Sequence, residues 1–224
     1  MEQKVDPFAP ILLVRHAQAE CNVDSNIGGW QNPGLTALGR SQAKSTGKQL
    51  VKELKDKEFT VYSSPLRRAY ETTKIICKEL ESIPVFIDEL KEYQTGLPPT
   101  MNWDEAEKKW NRLHKPLKNQ RICSGAETFG DLYKRAGEVL SYIMEEETNH
   151  AIIVSHAWIL DKMIAWWIGF PLSEINVKMF GISNASISEL SLTGFGEHML
   201  KRLNDRAHLL ESNINHPVNL QDLE

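Results

Sequence analysis

Two histidines stand where apolar runs end. Ile11-Leu12-Leu13-Val14 is a stretch of consecutive apolar residues, and Arg15-His16 follows it directly. Ala151-Ile152-Ile153-Val154-Ser155 is the most apolar run of strand length in the chain, and His156 follows it in the same way. Such runs suit strands buried on both faces of a parallel sheet. In open α/β sheets, ligands bind beyond the carboxyl ends of the strands. An imidazole at that edge can attack an electrophile or move a proton. A third run, Phe59-Thr60-Val61-Tyr62-Ser63, breaks at Ser64-Pro65, and Arg67-Arg68 then opens what reads as a helix. Helix amides and a guanidinium fork at that place would both face an anion. Arg15, His16, His156 and one of Arg67 and Arg68 are therefore candidates to converge on one anionic group, and for a phosphate His16 is the best nucleophile on offer. An unperturbed imidazole has a pKa of about 6.5, so His16 can be neutral near pH 7. A backbone carbonyl on its other nitrogen would fix the tautomer.

Competing phosphate chemistries find no support in the sequence. Six positions after Cys21, Cys77 and Cys123 stand Ile27, Ile83 and Phe129, so no cysteine is followed by the Arg that a cysteine phosphatase needs. The chain has no Asp-x-Asp pair and no His-Glu-x-x-His, and Gly47-Lys48 lacks the upstream Gly of a Walker loop. Three cysteines without a close pair argue against a disulfide framework and a Cys-rich zinc site. No clustered carboxylates near these motifs would hold Mg²⁺, so no metal and no cofactor is expected.

The totals are ordinary. A chain of 224 residues fits one large α/β domain or two small ones. A net charge of −4 does not favour nucleic acid or an anionic membrane as partner. The apolar stretch 158–170 is interrupted by Asp161-Lys162 and falls short of the roughly 20 residues of a membrane span, so it reads as a buried core helix. The first ten residues have no signal-peptide core, and a cytoplasmic location is expected.

The positioning elements follow from periodicity. Leu35, Leu38, Leu50, Val51 and Leu54 fit one helical stripe, with Thr36 as N-cap. Leu132, Ala136, Val139, Leu140 and Ile143 form another, with Thr128 as cap. Pro84-Val85-Phe86-Ile87 and Asn184 to Leu190 read as strands. Between Lys108 and Arg121 there are six Lys or Arg and no Asp or Glu. Beside a phosphate site this run would draw substrates with a second anionic group; away from it, it would be a solvated face. Arg135 is open between a contact with the site and a surface role.

Several of these segments resemble the histidine phosphatase superfamily, the phosphoglycerate-mutase-like enzymes, and they arrive in the family's order. Arg15-His16-Ala17 is similar to its Arg-His-Gly signature. The segment from Gly29-Trp30 to Leu35-Thr36 resembles Gly-Trp-x-Asp-x-Pro-Leu-Thr, departing at Asn32 and Gly34. The segment from Ser63 to Thr72 is similar to Ser-Ser-Pro-Leu-x-Arg-Ala-x-x-Thr, which puts the functional arginine at Arg68. Leu90, Glu92 and Gly96 match Leu-x-Glu-x-x-x-Gly, with Thr95 in place of the usual Phe and Glu89 as the competing carboxylate. Gly125-Ala126-Glu127-Thr128 resembles a Gly-Glu-Ser segment. Val154-Ser155-His156-Ala157-Trp158 is similar to Val-Ser-His-Gly-Gly, with both glycines replaced. The resemblance covers roughly residues 11–210.

The resemblance implies an α/β three-layer sandwich, a mostly parallel central sheet flanked by helices. The chain would form one domain over 1–224, with 97–126 as a lid or cap and 211–224 as a tail. It implies a phosphatase that hydrolyses a phosphomonoester through a phosphohistidine on His16. Glu92 would protonate the leaving oxygen and then act as base toward water, with His156 as the second catalytic imidazole. Arg15, Arg68 and Asn22 would bind the phosphate, and the partner would be a small phosphorylated substrate. A cofactor-dependent mutase is the second reading, less favoured because the chain is short and lacks a proline-rich middle insertion. A low-turnover binding or regulatory protein is the third, motivated by Ala17, Ala157 and Trp158. The sequence leaves the oligomeric state open.

Overall fold

A computed structural model describes residues 9–24, 27–98, 101–102, 104–106, 108, 121, 123–146, 149–174 and 179–211. Six strands form one sheet: β1 (Ile11–Arg15), β2 (Phe59–Ser63), β3 (Pro84–Phe86), β4 (His150–Ser155), β5 (Ile187–Leu192) and β6 (His198–Asp205). Their order across the sheet is β3-β2-β4-β1-β5-β6. The first four in that order run parallel, β5 pairs antiparallel with β1, and β6 pairs antiparallel with β5. The mostly parallel α/β architecture is therefore as expected.

Side chains alternate across the sheet, and the alternation of β1 divides the core. Ile11 and Leu13 face a layer built from α4 (Phe129–Glu146) and α5 (Ala157–Trp167). Leu12 and Val14 face the other layer, where Leu50 and Leu54 lie with Ile76 and Cys77 of α3 (Arg67–Leu80). Leu50 belongs to α2 (Ala37–Glu53), and Leu54 caps that helix. Two further short helices are α1 (Glu20–Val23) and α6 (Ala207–Glu211). All residues of β1 and β4 are buried, which explains their near-continuous apolar sequence. No described helix is long and apolar enough to cross a membrane. Asp161 and Lys162, which interrupt the apolar stretch of α5, are buried as an ion pair at 2.7 Å.

The buried face of α2 departs from the expected leucine stripe. It consists of Gly39, Gln42, Ala43, Ser45, Thr46, Gly47 and Leu50, while Val51 is exposed. Close approach is the physical reason. A Cβ on Gly47 would lie 3.2 Å from the Ile76 Cα of α3, and one on Gly39 would lie 2.0 Å from the Gln18 carbonyl oxygen. Gly39→Ala would improve helix propensity by about 1 kcal/mol. The clash is with backbone two residues past His16, and it should outweigh that gain. Overpacking of this kind typically costs about 1–3 kcal/mol. We expect Gly39→Ala to lower Tm by about 2–4 °C per kcal/mol lost. Activity should fall too, because α2 and the chain after His16 cannot both keep their places. A thermal melt and an activity assay on the same sample check this.

Of the lid expected over 97–126, residues 97–98, 101–102, 104–106, 108, 121 and 123–126 are described, and of the basic run only Lys108 and Arg121; the rest lies outside the described residues. At the end of the run, Arg121 is exposed and pairs with Asp131 at 3.6 Å. Of the expected tail, only Glu211 is described, and it closes α6.

Candidate active site

The sheet register brings the two histidines side by side. Arg15 is in register with Ser155 across the β1–β4 pair, so His16 and His156 leave adjacent strands at the same level. The His16 amide donates to the Ser155 carbonyl at 2.8 Å, and the two imidazole centroids are 5.2 Å apart. One strand further along, the Ser64 amide donates to the Val154 carbonyl at 3.0 Å. Ser64, His156 and His16 thus line the carboxyl edge of β2, β4 and β1.

Hydrogen bonds fix the tautomer of His16. Its Nδ1 is 2.8 Å from the Ala17 carbonyl oxygen, which can only accept, so Nδ1 carries the proton. Nε2 then holds a lone pair, and Arg68 Nε–H donates to it at 3.2 Å. Burial, Arg68 and Arg15 all push the His16 pKa well below 6.5, against the smaller opposing effect of the Ala17 carbonyl. A buried neutral imidazole with an available Nε2 lone pair is the form a nucleophile needs. Cys21 is not a competitor, because burial raises its thiol pKa in spite of Arg68 and Arg15.

Arg68 is 2 % exposed and is held at the start of α3 by a loop. Its Nη1 donates to the Gln31 carbonyl at 3.0 Å and its Nη2 to the Gly29 carbonyl at 2.8 Å. The Gly29–Gln31 loop therefore presents carbonyls to the arginine. Neighbouring Arg67 is a surface residue bonded to Glu71 at 2.8 Å. Arg15 Nη1 donates to the Ile182 carbonyl at 2.6 Å. Asn184 Nδ2 donates to the His16 carbonyl at 3.0 Å and to Asn22 Oδ1 at 3.2 Å. Asn22 Oδ1 also accepts from the Ala19 amide at 3.0 Å, so that oxygen shapes the turn after His16.

His156 is fully buried, and its Nε2 lies 2.8 Å from Ser64 Oγ. Its Nδ1 has no hydrogen-bond partner among the described residues. A buried polar atom left unpaired costs about 1–3 kcal/mol, which suits a position completed by a ligand. Burial is the main cause that holds its pKa well below 6.5, with Arg68, His16, Arg15 and Arg135 adding to it.

The structure brings Glu92 to the site and leaves Glu89 exposed. After β3, a 3-10 turn (Asp88–Leu90) carries the chain under the start of α5. Ser155 Oγ donates to the Leu90 carbonyl at 2.6 Å, tying this turn to the end of β4. Glu92 Oε1 accepts from the amides of Tyr93 at 2.8 Å and Ile159 at 3.3 Å, and Oε2 from the Trp158 amide at 3.3 Å. The carboxyl thus sits on the N-terminus of α5, next to His156. Burial raises its pKa above 4.5 and outweighs the amide donors, Arg68 and Arg15. Ala157 and Trp158, which replace two of the family glycines, belong to the same turn. The Trp158 ring stacks on Phe129 at 5.1 Å and lies 5.9 Å from Tyr93.

Comparisons with known proteins establish the family. The family model of the histidine phosphatase superfamily (branch 1) matches residues 11–206. The chain belongs to the histidine phosphatase superfamily. Phosphoserine phosphatase 1 of Hydrogenobacter thermophilus is 29% identical over 207 residues, covering 90% of this chain and 94% of that one. Phosphoglycerate mutase-like protein 4 of Arabidopsis thaliana is 32% identical over 152 residues, and the match spans 66% of this chain and 65% of that protein, just under two thirds of its length. Among solved structures, a phosphoserine phosphatase mutant from Entamoeba histolytica, bound to phosphoserine, superposes with a TM-score of 0.71 at 22% identity, covering 90% of this chain and 99% of that one. The histidine phosphatase fold and its mixed sheet are thereby shared with proteins that bind small phosphorylated metabolites.

Residue identity alone did not single out Ser64 or Asn184, and it left Arg135 undecided. Ser64 carried a local signal, as the last residue before Pro65 at a strand end.

Proposed function

We propose that this histidine phosphatase hydrolyses a small phosphomonoester through a phosphohistidine at His16 Nε2. The observation that carries the reading is the His16 ring, with Nδ1–H on the Ala17 carbonyl and the Nε2 lone pair facing Arg68. In the first step Nε2 attacks phosphorus and the bond from phosphorus to the leaving oxygen breaks. The Glu92 carboxyl gives its proton to that oxygen. Arg68 Nε–H passes from Nε2 to an equatorial phosphoryl oxygen, where Arg15 and the free Nδ1 position of His156 also serve. Phosphoryl transfer of this kind depends chiefly on positioning and charge stabilisation. In the second step water attacks phosphorus, the Glu92 carboxylate takes its proton, and the N–P bond breaks. Inorganic phosphate leaves and the Nε2 lone pair is restored. No metal or cofactor enters either step.

Full-length similarity to a phosphoserine phosphatase supports hydrolysis of a phosphorylated carboxylic acid. Similarity to a phosphoglycerate mutase-like protein favours the mutase as second reading. A panel of phosphorylated metabolites given to the purified protein separates them. We expect release of inorganic phosphate. Formation of a positional isomer without phosphate, dependent on a bisphosphate primer, would establish a mutase. Binding without turnover would leave a regulatory protein.

A further inference from the structure

Arg135 has no donor left for a substrate. A guanidinium carries five N–H donors in a fixed fork. Its Nε donates to Glu127 Oε1 at 2.8 Å, and Nη2 donates to Glu127 Oε2 at 2.8 Å and to the Glu92 carbonyl at 3.3 Å. Its Nη1 donates to the Glu89 carbonyl at 2.6 Å and to the Lys91 carbonyl at 2.8 Å. That accounts for all five. Three of these acceptors are carbonyls of the chain that delivers Glu92, from the 3-10 turn to Glu92 itself, and the Glu92 carbonyl also accepts from Trp30 Nε1 at 2.6 Å. The carbonyl between them, Leu90, is taken by Ser155 Oγ. Glu127 grips the same chain further on: its Oε2 accepts from the Gln94 amide at 2.9 Å and its carbonyl from the Tyr93 hydroxyl at 3.0 Å. The guanidinium and the Glu127 carboxylate are only 17% and 19% exposed, and they lie outside the set of groups assigned to phosphoryl transfer.

We propose that Arg135, locked by Glu127, is a positioning residue that sets the Glu92 carboxyl on the N-terminus of α5, where it meets the leaving oxygen. The inference rests on the reading of Glu92 as the general acid. Backbone at 89–92 is held by α4 through Arg135, by the end of β4 through Ser155, and at the Glu92 carbonyl by Trp30 as well. A shift of any of these moves the carboxyl relative to phosphorus. Lysine offers three donors from one point and cannot span Glu127 and three carbonyls, so Arg135→Lys should not restore the arrangement.

The test compares an alkyl phosphate, whose leaving oxygen needs a proton, with p-nitrophenyl phosphate, whose leaving group departs without one. The readout is the ratio of the two kcat/KM values. In Arg135→Gln and Arg135→Lys that ratio should fall about 10–100-fold, the scale on which a misplaced catalytic group costs rate. In a Glu92→Gln background the same substitutions should leave the ratio where Glu92→Gln alone put it. Glu127→Gln, which keeps the arginine and removes one charge partner, gives the same readout should Arg135→Gln fail to fold. If Glu92→Gln collapses the ratio while the Arg135 and Glu127 variants lower both substrates alike, the positioning role is overturned and Glu92 stands. If Glu92→Gln itself lowers both alike, the acid assignment falls and this inference falls with it.

Discussion

His16→Ala is expected to abolish turnover of every phosphomonoester the protein accepts, including p-nitrophenyl phosphate. The imidazole supplies the atom to which the phosphoryl group is transferred. Removing a nucleophile that acts in concert with its neighbours costs on the order of 10⁴-fold or more. The loss should be independent of the leaving group, because the attacking atom itself is missing. Folding should survive, since Ala fits the space and the backbone amide keeps its bond to the Ser155 carbonyl. Labelled substrate should place acid-labile phosphate on the wild-type chain and none on the variant. Near-normal turnover by a folded His16→Ala protein would remove the phosphohistidine mechanism altogether.

Glu92→Gln should give the second-largest effect, and here the leaving group decides its size. General acid catalysis is worth about 10²–10⁴-fold, so an alkyl phosphate should lose that much and p-nitrophenyl phosphate far less. The pH profile gives a second readout. Burial raises the Glu92 pKa above 4.5, so the acid stays protonated further up the pH scale than a free carboxyl. His16 is held well below 6.5 and stays neutral further down. The working window for kcat/KM therefore has an acid limb from His16 and an alkaline limb from Glu92. Glu92→Gln should remove the alkaline limb for the alkyl phosphate and leave the acid limb in place. Retention of both limbs would show that another group donates the proton.

The same shifts set a sign for stability. Unfolded, the two imidazoles take up protons near 6.5, and folded they do so only well below it. The unfolded chain binds more protons as pH falls through that window, so the histidines destabilise the fold progressively toward acid. The Glu92 shift works oppositely. Its folded-state proton is retained above 4.5, where the unfolded carboxyl has lost its own, so it costs stability as pH rises through the raised pKa.

Much of the site could be read along the chain because strand ends announce themselves. A buried parallel strand needs a continuous apolar run, and a charged or titratable residue at its end has nowhere to point but the ligand edge. That reasoning found Arg15-His16 and Ser155-His156, and the family motifs added Arg68 and Glu92. Periodicity served less well for α2, because a face of Gly, Ala, Ser, Thr and Gln has no hydrophobic signal, and its burial follows from how closely α3 and the chain after His16 approach.

The sequence by itself determined which strands would be buried, where they would end, and which side chains would stand at those ends. Short-range chemistry decides these matters, through runs of apolar residues, a proline after Ser64 and a threonine cap. Only the tertiary structure decided what those side chains do to one another. The placement of β4 between β1 and β2 makes His16 and His156 neighbours, and no local pattern encodes strand order. The Ala17 carbonyl and Arg68 together assign the His16 proton, across 52 positions of sequence in the second case. Glu92 differs from Glu89 because its carboxyl reaches the amides of Trp158 and Ile159, more than sixty positions away. Arg135 was undecided as a sequence feature because a guanidinium is defined by where its five donors go, and all five of its acceptors are assembled by the fold.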